Sequence, residues 1–348
     1  MNPVSTSGVL ITFAIAGAAC WLLTGLVLRY ALRRSIIDVP NERSLHTEPV
    51  PRGGGLAIGA VVLAGLAVLA VAHLIPGAWA IGLGGGGILV AGIGWMDDRG
   101  SVAPSRRALV HVIAAGWAVY WLGGMPGLLI NTTRLSLGLG GSIFAVVSIM
   151  WSINAYNFMD GIDGIAGAQG LVAGGIGTAL LIAGARADLA VLTVIPVGAC
   201  AGFLLWNWQP ARIFMGDVGS GLLGFLFASF AMLSERMGAV PAVVWLLLFG
   251  VFFFDATVTL VRRAVHRQRW YEAHRTHAYQ RVVRRGLTHG GVVLGVTAMN
   301  CALGLLAGMM ILKPSLTWIG LLGGVLLLGV VYAAVERRFP MRSDAARD

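Results

Sequence analysis

The sequence predicts an all-α polytopic membrane protein with about eleven transmembrane helices. Three observations predict it. Of the 348 residues, 57% are hydrophobic and only 11% charged, against about 25% charged in ordinary soluble domains. Mean hydropathy is +0.82. Apolar runs near the ~20 residues that cross a bilayer recur along the chain. They fall at 8–30, 53–74, 78–96, 108–130, 141–158, 164–184, 188–206, 218–233, 239–261, 289–312 and 315–335.

The runs differ in quality. The fourth is interrupted by Gly123-Gly124 and Pro126, and the eighth is short. Fifty glycines suit helices that approach closely without a bulky interface. The cysteines, Cys20, Cys200 and Cys301, lie in apolar runs without disulfide or zinc spacing, and read as buried thiols. The first run has its basic residues after it, unlike a cleavable signal. The whole chain, 1–348, reads as one integral membrane domain.

Eleven crossings put the termini on opposite sides. Segments at about 31–52, 97–107, 157–164, 207–219 and 262–290, with Arg29 and the tail, carry 21 of the 25 Lys and Arg residues. Basic residues mark the cytoplasmic face. The N-terminus is therefore expected in the periplasm and the C-terminus in the cytoplasm. The formal charge of +10 reflects this orientation. No nucleic-acid module is visible, so nucleic acid is not an expected partner.

The organising stretch runs from Asn154 through Asn157, Asp160 and Asp163 to Gly167. A step of three on a helix drifts by about 60°, so these four polar residues cannot share one straight face. The reading is a helix ending near Phe158, a tight turn at Asp160-Gly161 and a new helix after Gly164. Ionisable groups beside a membrane-like wall are costly, which points to function.

Four further clusters fall on the same side. Asp97-Asp98 needs a counter-cation, either Mg²⁺ or Arg99, Arg106 and Arg107. Asn207, Arg212, Phe214 and Asp217 share one loop, and Asp217 sits between Gly216 and Gly219. Phe214 is read either as a stacking platform for a base or as an interfacial aromatic. His274, Arg275 and His277 suit a diphosphate, whereas the outer arginines of that loop equally suit anionic headgroups. The first loop holds Asp38, Asn41, Glu42, Arg43, His46 and Arg52, and ends in Gly53-Gly54-Gly55. Asp255 lies inside the ninth run and is expected to pair with an arginine or act structurally. Together, carboxylates for a hard cation, amides and an aromatic for a base, and arginines for phosphates describe phosphoryl transfer to a lipid acceptor. The rival is a transporter of an anionic substrate. That would place charge near the midplane on broken helices, whereas here the acids sit at span ends.

These motifs resemble the polyprenyl-phosphate N-acetylhexosamine-1-phosphate transferases, with their MraY, WecA and WbpL branches. The resemblance rests on Pro51-Arg52-Gly-Gly-Gly, Met96-Asp97-Asp98-Arg99, Asn154 to Gly164, Phe214 to Ser220 and the histidine loop. That loop lacks three adjacent histidines and looks closer to the WbpL branch. The resemblance implies transfer of a sugar-1-phosphate from a UDP-N-acetylhexosamine to undecaprenyl phosphate. UMP is released and the first lipid-linked sugar of a cell-envelope glycan such as O-antigen is formed. It implies Mg²⁺, with Mn²⁺ as a substitute, and a site at the cytoplasmic face of a bacterial inner membrane. It implies Asp217 and Asn157 at the metal, and Asp97, Asp98, Asp163, His274 and His277 in catalysis. Substrate contacts would come from Asn157, Asp160, Gly161, Asn207, Phe214, Arg275 and Arg52. A homodimer stays open.

Overall fold

The computed structural model describes residues 4–40, 45, 48–125, 127–268 and 274–341. Asn41, Glu42, Arg43 and His46 of the first loop lie outside the described residues.

The chain is a helical bundle. Its elements are α1 (Thr6–Arg33), β1 (Ile37–Asp38), β2 (Val50–Pro51), α2 (Gly55–Val71), α3 (Gly77–Arg99) and α4 (Pro104–Trp121). Next come β3 (Gly127–Ile130), β4 (Thr133–Ser136), α5 (Gly138–Phe158), α6 (Ile165–Ala183), α7 (Ala187–Asn207) and α8 (Gly216–Arg236). The chain continues with α9 (Ala242–Leu248), α10 (Gly250–Val265), α11 (Ala278–Arg284), α12 (His289–Leu312) and α13 (Thr317–Arg338). The strands form two antiparallel pairs, β1 with β2 and β3 with β4.

Among the described residues, eight helices are long and apolar enough to cross a membrane, and a bent pair makes nine. Each of the eleven expected runs forms helix over at least part of its length, and α2 and α4 fall outside that count by length or composition. α2 has 17 residues. α4 opens on Arg106, Arg107 and His111, which lower its apolar character. The run at 108–130 also stops early: α4 ends at Trp121, Gly123 and Gly124 take left-handed φ of 86° and 76°, and the β3–β4 hairpin follows. The run at 239–261 breaks at Phe249, where α9 and α10 meet at 77°. The eighth run is longer than expected, 21 residues.

α7 and α8 are buried nearly all round, whereas α1 and α13 turn most of their surface outward. Lipid tails give helices no hydrophobic reason to associate, so close packing must supply it. At the α1–α7 crossing a Cβ on Gly202 would lie 2.0 Å from the Gly17 carbonyl oxygen. Cys20 and Cys200 are buried as expected, but Cys301 faces outward.

Candidate active site

Chain alternation brings the ends of α3, α5, α7 and α10 and the starts of α6, α8 and α12 to one end of the bundle. The β3–β4 hairpin lies at the other end. A cleft of about 340 Å³ opens at the end opposite the hairpin, lined among others by Arg52, Asn157, Asp160, Asp163, Phe214 and Asp217.

The α5–α6 turn is built as its sequence dictates. α5 ends at Phe158, and Gly164 takes φ +79° immediately before α6. Asp160 lies in that turn. Burial pushes its carboxyl well above the usual carboxylate range; the charge of Asp217 adds to this and Arg52 partly offsets it. Asp163 Oδ2 accepts the Ala211 N–H at 3.1 Å, and its Oδ1 lies 3.3 Å from His289 Nδ1. Asn207, only 3% exposed, accepts the Gly164 N–H at 3.0 Å and donates to the Ile213 carbonyl at 2.9 Å. Its amide thus brackets two loops.

The start of α8 holds Asp217. Gly216 reaches it through φ +74°, a left-handed conformation that suits a residue without Cβ. α3 packs so tightly here that a Cβ on Gly94 would lie 2.7 Å from the Asp217 carbonyl. Asp98 Oδ1 accepts the Asp217 N–H at 3.0 Å and Oδ2 the Val218 N–H at 3.4 Å. Asp98 therefore caps α8, satisfying otherwise orphaned helix donors with a carboxylate at the positive end of the dipole. The glycine run serves as a strap: Phe214 N–H donates to the Pro51 carbonyl at 2.8 Å, and Gly54 N–H to the Phe214 carbonyl at 2.9 Å.

Two arginines brace the acids. Arg52 Nε lies 2.9 Å from Asp98 Oδ1, Nη2 3.3 Å from Asp217 Oδ1 and Nη1 3.9 Å from Asp38. Burial opposes the Arg52 charge, but Asp98, Asp217, Asp38 and Asp160 outweigh it and hold the guanidinium pKa above its usual value. Arg107 Nη1 lies 2.6 Å from Asp97 Oδ2 and 3.6 Å from Asp217 Oδ2. Asp97 also accepts the Val102 N–H at 2.7 Å. Asn157 donates to Ser220 Oγ at 3.0 Å and is within hydrogen-bonding reach of Asp217.

The histidine loop divides. His274 lines the cleft, with its Nδ1 3.0 Å from Thr276 Oγ1. Burial lowers its pKa to about 3, and the charges of His277 and Arg263 add to this. His277 is 2% exposed and lies behind, its Nδ1 3.5 Å from Asp255 Oδ1. Asp255 also accepts the Ala278 and Tyr279 N–H groups at 2.9 and 3.3 Å, so it pairs with a histidine and caps α11. Arg275 is half-buried on the same loop and does not line the cleft. In place of His277 and Arg275, Tyr279, Gln280 and His289 complete that wall. Tyr279 Oη donates to the Phe158 carbonyl at 3.0 Å and crowds Gly161, where an added Cβ would lie 2.2 Å away. His289 carries no functional signal in the sequence, because a lone histidine opening an apolar helix has no telling spacing.

The donor set suits a hard cation. Asp97 and Asp217 already share one cationic group, Arg107, and both offer carboxylate oxygen. Among the described residues no three His, Cys, Asp or Glu side chains form a complete metal cage. Mg²⁺ needs no such cage, since it takes one or two carboxylates and completes its shell with water and substrate phosphate.

A polytopic helical bundle with an arginine-braced acidic cleft at one end defines a class of multi-pass membrane protein whose cleft offers charged donors and acceptors to a polar ligand. The chain belongs to glycosyl transferase family 4. The family's sequence profile matches residues 80–235, which run from α3 through the acidic turn to the end of α8. A probable undecaprenyl-phosphate N-acetylglucosaminyl 1-phosphate transferase of Bacillus subtilis is 26% identical over 90% of this chain and 87% of its own. A decaprenyl-phosphate N-acetylglucosaminephosphotransferase of Mycobacterium tuberculosis is 29% identical over 90% and 86%. A phospho-N-acetylmuramoyl-pentapeptide-transferase of Thermosynechococcus vestitus is 31% identical over 71% and 67%.

Proposed function

We propose that this protein transfers a sugar-1-phosphate from a UDP-N-acetylhexosamine to undecaprenyl phosphate and releases UMP. The observation that carries this reading is the convergence of Asp97, Asp217 and Asn157 with Arg52 and Arg107 at one end of the bundle, beside Phe214. The names of the relatives support a polyprenyl-phosphate acceptor and make UDP-N-acetylglucosamine the first donor to test.

In this reading an oxygen of the lipid phosphate attacks the phosphorus that bears the sugar, and the bond to UMP breaks. A lipid phosphate is largely ionised at neutral pH, its second pKa being about 6 by analogy with phosphoproteins. It therefore needs orientation more than deprotonation. Asp217, with Asn157 and Asp97, would hold Mg²⁺, which when bound neutralises charge developing on the diphosphate. Arg52 and Arg107 offer forked donors to phosphate oxygens, and Phe214 offers a face to uracil. The bias of basic residues supports a cleft facing the cytoplasm of a bacterial inner membrane.

The test uses purified protein with undecaprenyl phosphate and, in turn, UDP-N-acetylglucosamine, UDP-N-acetylgalactosamine and UDP-N-acetylfucosamine. UMP release with one of them, dependent on Mg²⁺ or Mn²⁺, is expected. Release of UDP would overturn the reading.

A further inference from the structure

The short helix α11 supplies Tyr279 and Gln280 to the cleft wall, yet seven residues cannot hold their own position. Two carboxylates outside the cleft hold it. Asp255 caps its start. Glu336, near the end of α13, holds Arg281. Arg281 is 0% exposed, and its Nη1 lies 2.7 Å from Glu336 Oε2 and hydrogen-bonds the Phe339 carbonyl. Its Nε and Nη2 have no partner among the described residues. The buried charge therefore depends on Glu336. Glu336 also takes Arg262 of α10 at 2.7 and 2.8 Å and accepts the Met341 N–H at 3.2 Å. Both guanidiniums lie near the ring of Tyr332, one turn earlier on α13.

We infer that Glu336 is a positioning residue for the cleft. Through Arg281 it ties α11 to α10 and α13, and so presses Tyr279 and Gln280 against the Asp160-Gly161 turn. A carboxylate is suited to this because it takes two guanidiniums at once, and removing it leaves Arg281 charged and buried without its partner. The cleft wall is thereby set by the end of the last long helix, outside the 80–235 region that the family profile matches. This inference rests on the function proposed above only for its kinetic readout.

The experiment compares wild type with Glu336→Gln and Glu336→Asp in the full-length protein. Hydrogen exchange is read over 278–284, and steady-state kinetics are read for donor and acceptor separately. Glu336→Gln should speed exchange in α11 while α3, α5 and α8 stay protected. It should also raise KM for the UDP-sugar by about tenfold, with kcat and acceptor KM within about twofold, since a displaced wall loses binding contacts rather than reacting groups. Glu336→Asp should restore most of the donor KM. Unchanged exchange over 278–284 would overturn the latch whatever the substrate proves to be. Faster exchange with an unchanged donor KM would overturn the positioning role. Absence of UMP release by wild type would instead strike the proposed function. Should Glu336→Gln fail to fold, Glu336→Asp with Arg281→Lys decides on the same two readouts.

Discussion

Asp98 Oδ1 accepts the backbone N–H of Asp217 at 3.0 Å. One carboxylate thereby fixes the start of the helix that presents the other. The three neighbouring acids divide the work: Asp98 builds, while Asp97 and Asp217 face Arg107.

Asp98→Ala should therefore lower stability more than Asp97→Ala does. It deletes two backbone hydrogen bonds to a charged acceptor and the partner of Arg52 Nε. Hydrogen bonds to charged groups are worth about 1.5–3 kcal/mol each. Thermal melts in detergent check this; equal melting temperatures for the two variants would remove Asp98 from its capping role.

Asp217→Asn keeps shape and removes charge. Turnover should fall by about a thousandfold or more, since losing metal-assisted charge stabilisation costs several kcal/mol. The bundle should persist, because the Asp98 cap holds the Asp217 backbone and leaves its side chain free of that duty. UMP release against Mg²⁺ concentration measures the effect. Near-normal turnover at ordinary Mg²⁺ would move the cation site to Asp97 or Asp160.

Phe214→Ala should weaken UDP-sugar binding by about 1–3 kcal/mol, the range for base–aromatic stacking. Its backbone bonds to Pro51 and Gly54 stay in place, so the strap should survive the change. Calorimetry with the UDP-sugar reads the affinity directly. Unchanged affinity in a folded variant would leave Phe214 as a strap residue alone.

Gly94→Ala should impair folding and turnover together, because the new Cβ meets Asp217 backbone at 2.7 Å and backbone cannot move aside. Overpacking of this kind costs about 1–3 kcal/mol. Gly92→Ala is the control, since nothing lies within 4 Å of its added Cβ. Two indistinguishable variants would mean that α3 and α8 are not in close contact.

The pH dependence of stability should carry a contribution from His274, whose pKa falls to about 3 in the fold from about 6.5 when unfolded. The unfolded chain binds the proton first. Stability is therefore whole above pH ~6.5 and declines as pH falls from there towards ~3. His274→Gln should flatten the decline between pH 7.5 and 5, read as melting temperature. Parallel slopes would show that His274 is not buried as a neutral ring.

Much of this was legible in the chain alone. Apolar runs with few charges determine a polytopic helical protein, because a bilayer tolerates backbone only when it is internally hydrogen-bonded. The Asn157 to Gly164 stretch determines its own turn, since α5 stops at Phe158 and Gly164, with φ +79°, admits the next helix. Alternation of spans determines that Asp97, Asp160 and Asp217 meet at one end.

The tertiary structure alone decided what each acid does there. Adjacent in sequence, Asp97 and Asp98 point to different partners, one to Arg107 and one to the α8 amides. Spacing cannot encode that choice, because the partners come from 10 and 119 residues away. His277 was drawn out of the cleft by Asp255 on another helix, and His289 was brought in by the start of α12. The breaks at Trp121 and Phe249 likewise depend on packing, since a continuous apolar run fits a straight span and a bent one equally well. Local sequence sets backbone preference and hydropathy; pairing of charges across helices is set only when the bundle closes and each buried charge must find its partner.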